Sequence, residues 1–259
     1  MADVTIEQSG AVRTITLDRP ASRNGLIPNT CIQMAEGIEA VAEDRDVRVI
    51  VLTGANRAFC SGADLMGAAQ ALGGRPPHEV IRDAFHRLVR AIVAAPQPVV
   101  ASVRGPAVGF GFDLALACDL RIVSRDCKLG AVFTRIGLVP DGGSSFTLSR
   151  LVGLGRAMEL VLLAETFDGQ RAYDLGIANR VVEDETLERE TATLASRLAD
   201  GPPIAFKYAK RNLLAGLSGS LEDALGREVE GQVHCLVSQD AMEGVSAFFQ
   251  KRKPTFRGT

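Results

Sequence analysis

Two apolar runs in this chain each break into a turn made largely of small residues, and that pairing limits the fold more than any other feature. Val47 to Thr53 ends at Gly54 and leads on to Phe59-Cys60-Ser61-Gly62-Ala63-Asp64-Leu65, while Pro98 to Val103 leads on to Gly105-Pro106-Ala107-Val108-Gly109-Phe110-Gly111. An apolar run bounded by turn signals reads as a buried strand. A glycine turn that opens a helix leaves the first helical amides without intrahelical acceptors. Two such donors aimed at one point make an oxyanion hole, worth roughly 3 kcal/mol per donor when charge develops on a carbonyl oxygen. The second turn would also suit a nucleotide phosphate, but the third glycine of the dinucleotide fingerprint is missing, since Leu114-Ala115 follows Asp113. Tight helix–strand packing is the plain alternative for these glycines.

Around the turns, Val12 to Leu17 reads as a strand and Pro28 to Asp44 as a helix, which with Val47 to Thr53 makes a crossover unit. A helical stretch from His78 to Ala95, the strand at Pro98 to Val103, a short helix at Phe110 to Ala117 and a strand at Leu120 to Ser124 repeat the order. Stacked β–β–α turns and a parallel sheet both satisfy it. From about Ala157 the chain turns to helices punctuated by Gly and Pro, with one short strand at Ala178 to Val182. Pro202-Pro203 opens a helix whose Lys207 and Lys210 share a face. Ser238 is placed to cap the last helix, with Asp240 and Glu243 early and Lys251 to Lys253 late, as the helix dipole favours. The expected organisation is a core over residues 1–200 that carries the site and a helical oligomerisation region over 201–259.

At 259 residues a full core is within reach, and a net charge of −2 gives no basic surplus for a nucleic-acid groove. No apolar run approaches the roughly 18 residues needed to span a bilayer, and the start lacks a signal pattern, so a cytoplasmic protein without membrane partners is expected. The five cysteines (Cys31, Cys60, Cys118, Cys127, Cys235) hold no Cys-x-x-Cys pair and read as reduced, mostly buried residues. His78, His86 and His234 lack metal-ligand spacing, so no metal site is expected.

Leu17-Asp18-Arg19-Pro20, Ala58 to Leu65, Val99 to Gly111, Ala117-Cys118-Asp119-Leu120-Arg121 and Gly137-Leu138-Val139-Pro140-Asp141-Gly142-Gly143 occur here in an order and spacing that resembles the crotonase superfamily, the enoyl-CoA hydratase/isomerase family, over nearly the whole chain. The resemblance implies an α/β fold: a crotonase-like spiral of β-β-α units with C-terminal trimerisation helices, assembled as a homotrimer or a dimer of trimers. It implies an acyl-CoA substrate, a coenzyme A thioester rather than a resident cofactor, with the thioester oxygen between the amides of Ala63 and Phe110. Family hydratases use two glutamates, whose places fall on Asp113 and Phe133. Phe133 moves no proton, and Asp113 is shorter than glutamate by one methylene, about 1.5 Å, which matters because a base must reach hydrogen-bond distance.

Asp141 matches the acidic residue that looks catalytic in several isomerases of the superfamily and the nucleophilic aspartate of its aryl-CoA dehalogenases. One carboxylate suffices to move a double bond, and Phe133, Ile136, Leu138 and Val139 are expected to wall it in an apolar pocket that raises its pKa. Alternatively Asp141 caps the helix beginning at Gly142. Asp113 is either catalytic or a helix-dipole partner, and Asp64 is either turn-forming or close to the adenine. Cofactor-contact candidates are Arg23, Ala63, Asp64, Leu65, Lys210 and Lys251, with Lys207 beside them. Cys60 reads as a packing residue rather than a nucleophile, and Ser61, Ser144 and Ser145 lack a Gly-x-Ser-x-Gly elbow. Gly67 to Pro77 has the punctuation of a flap over the acyl chain, and His78 and His86 read as helix-surface residues. An isomerase is favoured over a weak hydratase, an isomerase of ring-containing acyl-CoAs and a non-catalytic CoA-ester binder.

Overall fold

A computed structural model describes residues 2–67 and 74–259, so most of the expected flap, Gly67 to Pro77, lies outside the described residues. The main sheet has six strands in the order β1 (Val4–Ser9), β2 (Val12–Leu17), β3 (Val49–Gly54), β4 (Val99–Val103), β6 (Leu120–Ser124) and β8 (Arg180–Val182). β1 and β2 form an antiparallel hairpin, and every later pairing is parallel. A second, two-stranded parallel sheet joins β5 (Pro106–Val108) to β7 (Lys128–Gly130). The crossover unit predicted from residues 12–53 is thus present, with Val12 opposite Val49 and Leu17 opposite Gly54.

Every residue of β4 and the first four of β3 are buried, the continuous apolar pattern expected of parallel strands covered on both faces. One face carries the principal core, to which α1 (Pro28–Glu39) contributes Met34 and Ile38. The same face takes up α2 (Pro77–Val80), a π turn (Ile81–Phe85), α3 (His86–Ala94) and α4 (Phe110–Ala117). The other face packs Val49, Val51, Val100 and Ile122 against Leu187, Leu194 and Ala195 of α8 (Leu187–Ala199). α4 is buried at every position, Asp113 included, and its other residues are apolar or glycine, as a helix covered on all sides requires. α5 (Ser144–Val152), α6 (Leu154–Leu162) and α7 (Gly169–Asp174) precede β8.

The C-terminal region is α9 (Pro203–Gly216), α10 (Leu221–Leu236) and α11 (Gln239–Gln250). The Ser238 cap forms as expected, its side chain accepting from the Ala241 amide. Two expectations for the helix ends change. Lys251 sits past the end of α11 in the left-handed region (φ 53°), and α1 stops at Glu39 rather than Asp44. These helices also expose Leu213, Leu221, Val229, Val233, Phe248 and Phe249.

Candidate active site

Strand-like bridges join the first turn to the second at Cys60 and to Leu26 at Ala63. Cys60 donates its amide to Pro106 O (2.9 Å) and accepts from the Val108 amide (3.1 Å), while Leu26 donates to Gly62 O (2.8 Å) and accepts from the Asp64 amide (2.8 Å). In a parallel bridge the residue between the two bonded neighbours turns its own N–H to the opposite side. Ala63 occupies that position, so its amide faces away from Leu26. Phe110, the first residue of α4, has no preceding turn to accept its amide. Neither amide has a hydrogen-bond partner among the described residues.

Glycine makes the approach possible. Gly62 has φ +99°, and a Cβ there would stand 2.9 Å from Val108 O and 3.5 Å from the Phe110 amide nitrogen, so the two turns lie side by side. At Gly111 a Cβ would stand 2.3 Å from the Cys60 carbonyl oxygen, which no backbone tolerates. Asn24, left-handed at φ 61° and fully buried, holds the strand end behind the first turn: its amide group donates to Ala55 O (2.9 Å) and Ala58 O (2.6 Å), and its oxygen accepts from the Arg19 amide (2.8 Å). Nothing in the sequence marks Asn24 apart from its tolerance of the left-handed region.

Asp64 is a turn-holder: its carboxylate accepts from the Gly67 amide (3.0 Å) and from Arg19 Nη2 (3.1 Å). The Gly67 bond and the Arg19 guanidinium hold its pKa below the ordinary value. Leu65 follows with its side chain half out in solvent, and Arg23 is exposed beside the first turn, its carbonyl accepting from the Ser61 amide (3.1 Å). Lys210 is engaged within the chain: Nζ pairs with Asp119 (2.8 Å) and donates to Ile92 O (3.1 Å) and Gln97 O (3.3 Å), partners for all three of its N–H donors. No hydrogen bond or ion pair joins Lys251 to the two turns among the described residues. Cys60 is fully buried and its thiol is pushed up to about 12 by desolvation, the state of a packing residue.

The acid turn comes from a third part of the chain. α5 begins at Ser144, and Gly143 (φ +98°) occupies its N-cap position with no side-chain cap, so Asp141 does not cap the helix. Its expected walls also differ. Phe133 is buried, but Ile136, Leu138 and Val139 are 59%, 47% and 74% exposed, because the 3-10 turn Val132–Ile136 closes on left-handed Gly137 and turns them outward. Burial nonetheless raises the Asp141 pKa, and His86 opposes it. His86 is not a bystander on the helix surface: Nε2 lies 2.8 Å from Asp141 O, and since a carbonyl only accepts, that nitrogen carries the proton.

Behind this turn Asp113 is 1% exposed, and its Oδ2 accepts from the Gly142 amide at 2.7 Å. Desolvation pushes its pKa up to about 7; Ser144 and the Gly142 amide pull it down, and the nearby Asp141 charge adds to the rise. Asp113 Oδ1 and Ser144 Oγ are both buried without a partner of good hydrogen-bond geometry. Phe85, at the end of the π turn, packs edge-on against Phe110 (5.0 Å, 76°), so the segment that delivers His86 to the acid turn also braces an amide donor. An apolar groove of about 700 Å³ opens at Gly142 and Gly143, lined by Val89, Phe146, Leu213 and Leu217. Among the described residues there is no three-residue cluster of His, Cys, Asp and Glu able to hold a metal, and no helix long and apolar enough to cross a membrane.

The chain matches the family model described as enoyl-CoA hydratase/isomerase over residues 7–259. It is 39% identical to a Rhodobacter capsulatus protein named "Probable enoyl-CoA hydratase", with 98% of each chain covered. It is 36% identical to the 1,2-epoxyphenylacetyl-CoA isomerase of Escherichia coli, with 95% of each covered. Among solved structures it resembles an enoyl-CoA hydratase of Bacillus anthracis at a TM-score of 0.92 and 30% identity, with 100% of both chains covered.

Proposed function

The chain belongs to the enoyl-CoA hydratase/isomerase family, with the crotonase fold, and within that family we propose that it acts as an isomerase that moves the double bond of a 3-enoyl-CoA to the 2-position. The reading is supported by two amides without a partner among the described residues, on Ala63 and Phe110 in turns that lie side by side, and by the partly buried Asp141 carboxylate on a turn packed against the Phe110 ring. The thioester oxygen accepts both amides. Asp141 takes a proton from C2, the C–H electrons pass into the enolate, and the same carboxyl returns the proton at C4 while the double bond settles between C2 and C3. The atoms balance with no added water, metal or redox partner in the step. A pKa raised by burial suits a group that must both accept and return a proton.

Hydratase names among the relatives support a second reading, water addition by Asp113. Its Oδ2 is already bound to the Gly142 amide and the side chain is 1% exposed, which speaks for the first. Purified protein incubated with a 3-enoyl-CoA and, separately, a 2-enoyl-CoA distinguishes them: conjugation of the first supports the isomerase, and hydration of the second without isomerisation of the first overturns it. Acyl-CoA binding with turnover of neither makes the chain a CoA-ester binder. The relative named for an epoxyphenylacetyl-CoA makes a ring-containing acyl group the next substrate to try. Exposed Arg23 is the proposed contact for the CoA phosphates. The apolar residues displayed by α9, α10 and α11 support assembly into a trimer or a dimer of trimers, checked by light scattering.

A further inference from the structure

We propose that His86 and Asp113 are positioning residues that work as a pair, gripping the Asp141–Gly142 peptide by its two polar ends and thereby fixing where the Asp141 carboxylate points. The inference rests on Asp141 being the proton shuttle. The carbonyl of that peptide accepts from His86 Nε2 at 2.8 Å, and its N–H donates to Asp113 Oδ2 at 2.7 Å. A peptide group is planar, so holding both its oxygen and its nitrogen fixes the whole plane, Asp141 Cα included, and leaves the Asp141 side chain only rotation about its own Cα–C bond (ψ) and its χ angles. The two holding groups come from different elements, α3 and α4, on opposite sides of the turn.

The surroundings are built for this. A Cβ on Gly142 would stand 2.6 Å from Asp113 Cβ and 2.9 Å from Phe110 Cε2, so only the bare backbone fits between the acid and the ring. The π turn Ile81–Phe85 ends at the residue before His86, and it sets Phe85 against Phe110 at the same time. Such turns inside helices are often associated with functional sites. One clamp therefore aligns the proton shuttle with the amide donor of Phe110. Either protonation state of Asp113 can hold it, because a proton on the unpartnered Oδ1 leaves Oδ2 an acceptor for the Gly142 amide.

The experiment compares kcat and KM for 3-enoyl-CoA isomerisation in D113L, D113N, H86F, H86Q and the double variant D113L/H86F, with thermal transitions recorded for each. Misplacing a reacting group by about 1 Å costs on the order of 100-fold, so D113L and H86F are each expected to lower kcat at least about 30-fold with KM within about threefold. D113N keeps an acceptor and H86Q keeps a donor, and both are expected to recover most of that loss. The double variant should lose less than the product of the singles, because both grip one peptide. D113N as inactive as D113L would show that Asp113 itself moves a proton and overturn the clamp, as would a D113L enzyme with wild-type kcat. Should D113L fail to fold, NMR of the wild type decides: a slowly exchanging Gly142 amide and a His86 ring protonated at Nε2 support the clamp, and rapid Gly142 exchange overturns it. If D141N retains isomerisation, the shuttle assignment fails; if D141N is inactive and D113L is not, the clamp alone fails.

Discussion

The proposed oxyanion half of the site and its proposed acid half are built in opposite ways. The amides of Ala63 and Phe110 are backbone groups, placed by strand-like bridges and by glycines that let two turns touch. Asp141 is a side chain on a turn held from outside by two other side chains, His86, 55 residues before Asp141, and Asp113, 29 residues before Gly142. A backbone donor is indifferent to most substitutions and fails when a Cβ collides. A side-chain acid fails whenever its supports change.

That contrast sets four expectations. The largest is D141N, which should lower isomerisation by about 10³-fold, within the range for removing a general base; a loss below tenfold, measured at saturating substrate, would place the chemistry elsewhere. Next is the pH dependence of stability. The Asp113 carboxyl sits at about 7 in the folded chain against an ordinary 3.8, so between these values the native state holds a proton that the unfolded chain has released. Stability is then highest on the acid side of that window and falls as pH rises through it, by at most about 4 kcal/mol. Urea midpoints of wild type and D113N across pH 4 to 8 should converge on one slope apart from this fall, which D113N should lack.

The oxyanion half is broken by G111A, whose new methyl meets the Cys60 carbonyl oxygen. Overpacking of that kind costs about 1–3 kcal/mol, and isomerisation should drop with it. Wild-type stability in G111A would mean the two turns are not in contact. The smallest effect is at Cys60: with its thiol pushed up to about 12, alkylation at pH 8 should leave it unlabelled in the native protein. Rapid modification of Cys60 would mean the first turn opens.

The same contrast explains what the sequence made legible. Strand β2, helix α4 and strand β6 have the bounds their apolar runs announce, Val12–Leu17, Phe110–Ala117 and Leu120–Ser124. The two turns follow them with glycines where a side chain would collide. β1 escaped notice because it is an edge strand with a mostly exposed, polar surface, so its residues carry no apolar period. The three-residue strands β5 and β7 are too short to show one. Leu138 and Val139 look like pocket walls by composition, yet the left-handed Gly137 before them decides their direction. His86 is invisible as a support because its value depends on a turn from another part of the chain. The motifs that carry the family resemblance cover the backbone-built half well and say little about what holds the acid.

Lys210 gives the C-terminal helices a meaning that composition does not. Its ammonium crosses from α9 to Asp119, whose carboxylate also accepts from the Val99 amide at the head of β4, and to two carbonyls near the end of α3 and the start of β4. Burial disfavours the Asp119 charge, and this cation offsets that penalty. Cutting the chain near residue 200 would strip an anion of its counter-ion at the root of a central strand, so the tail is a structural creditor of the sheet and cannot be trimmed away as a detachable adaptor.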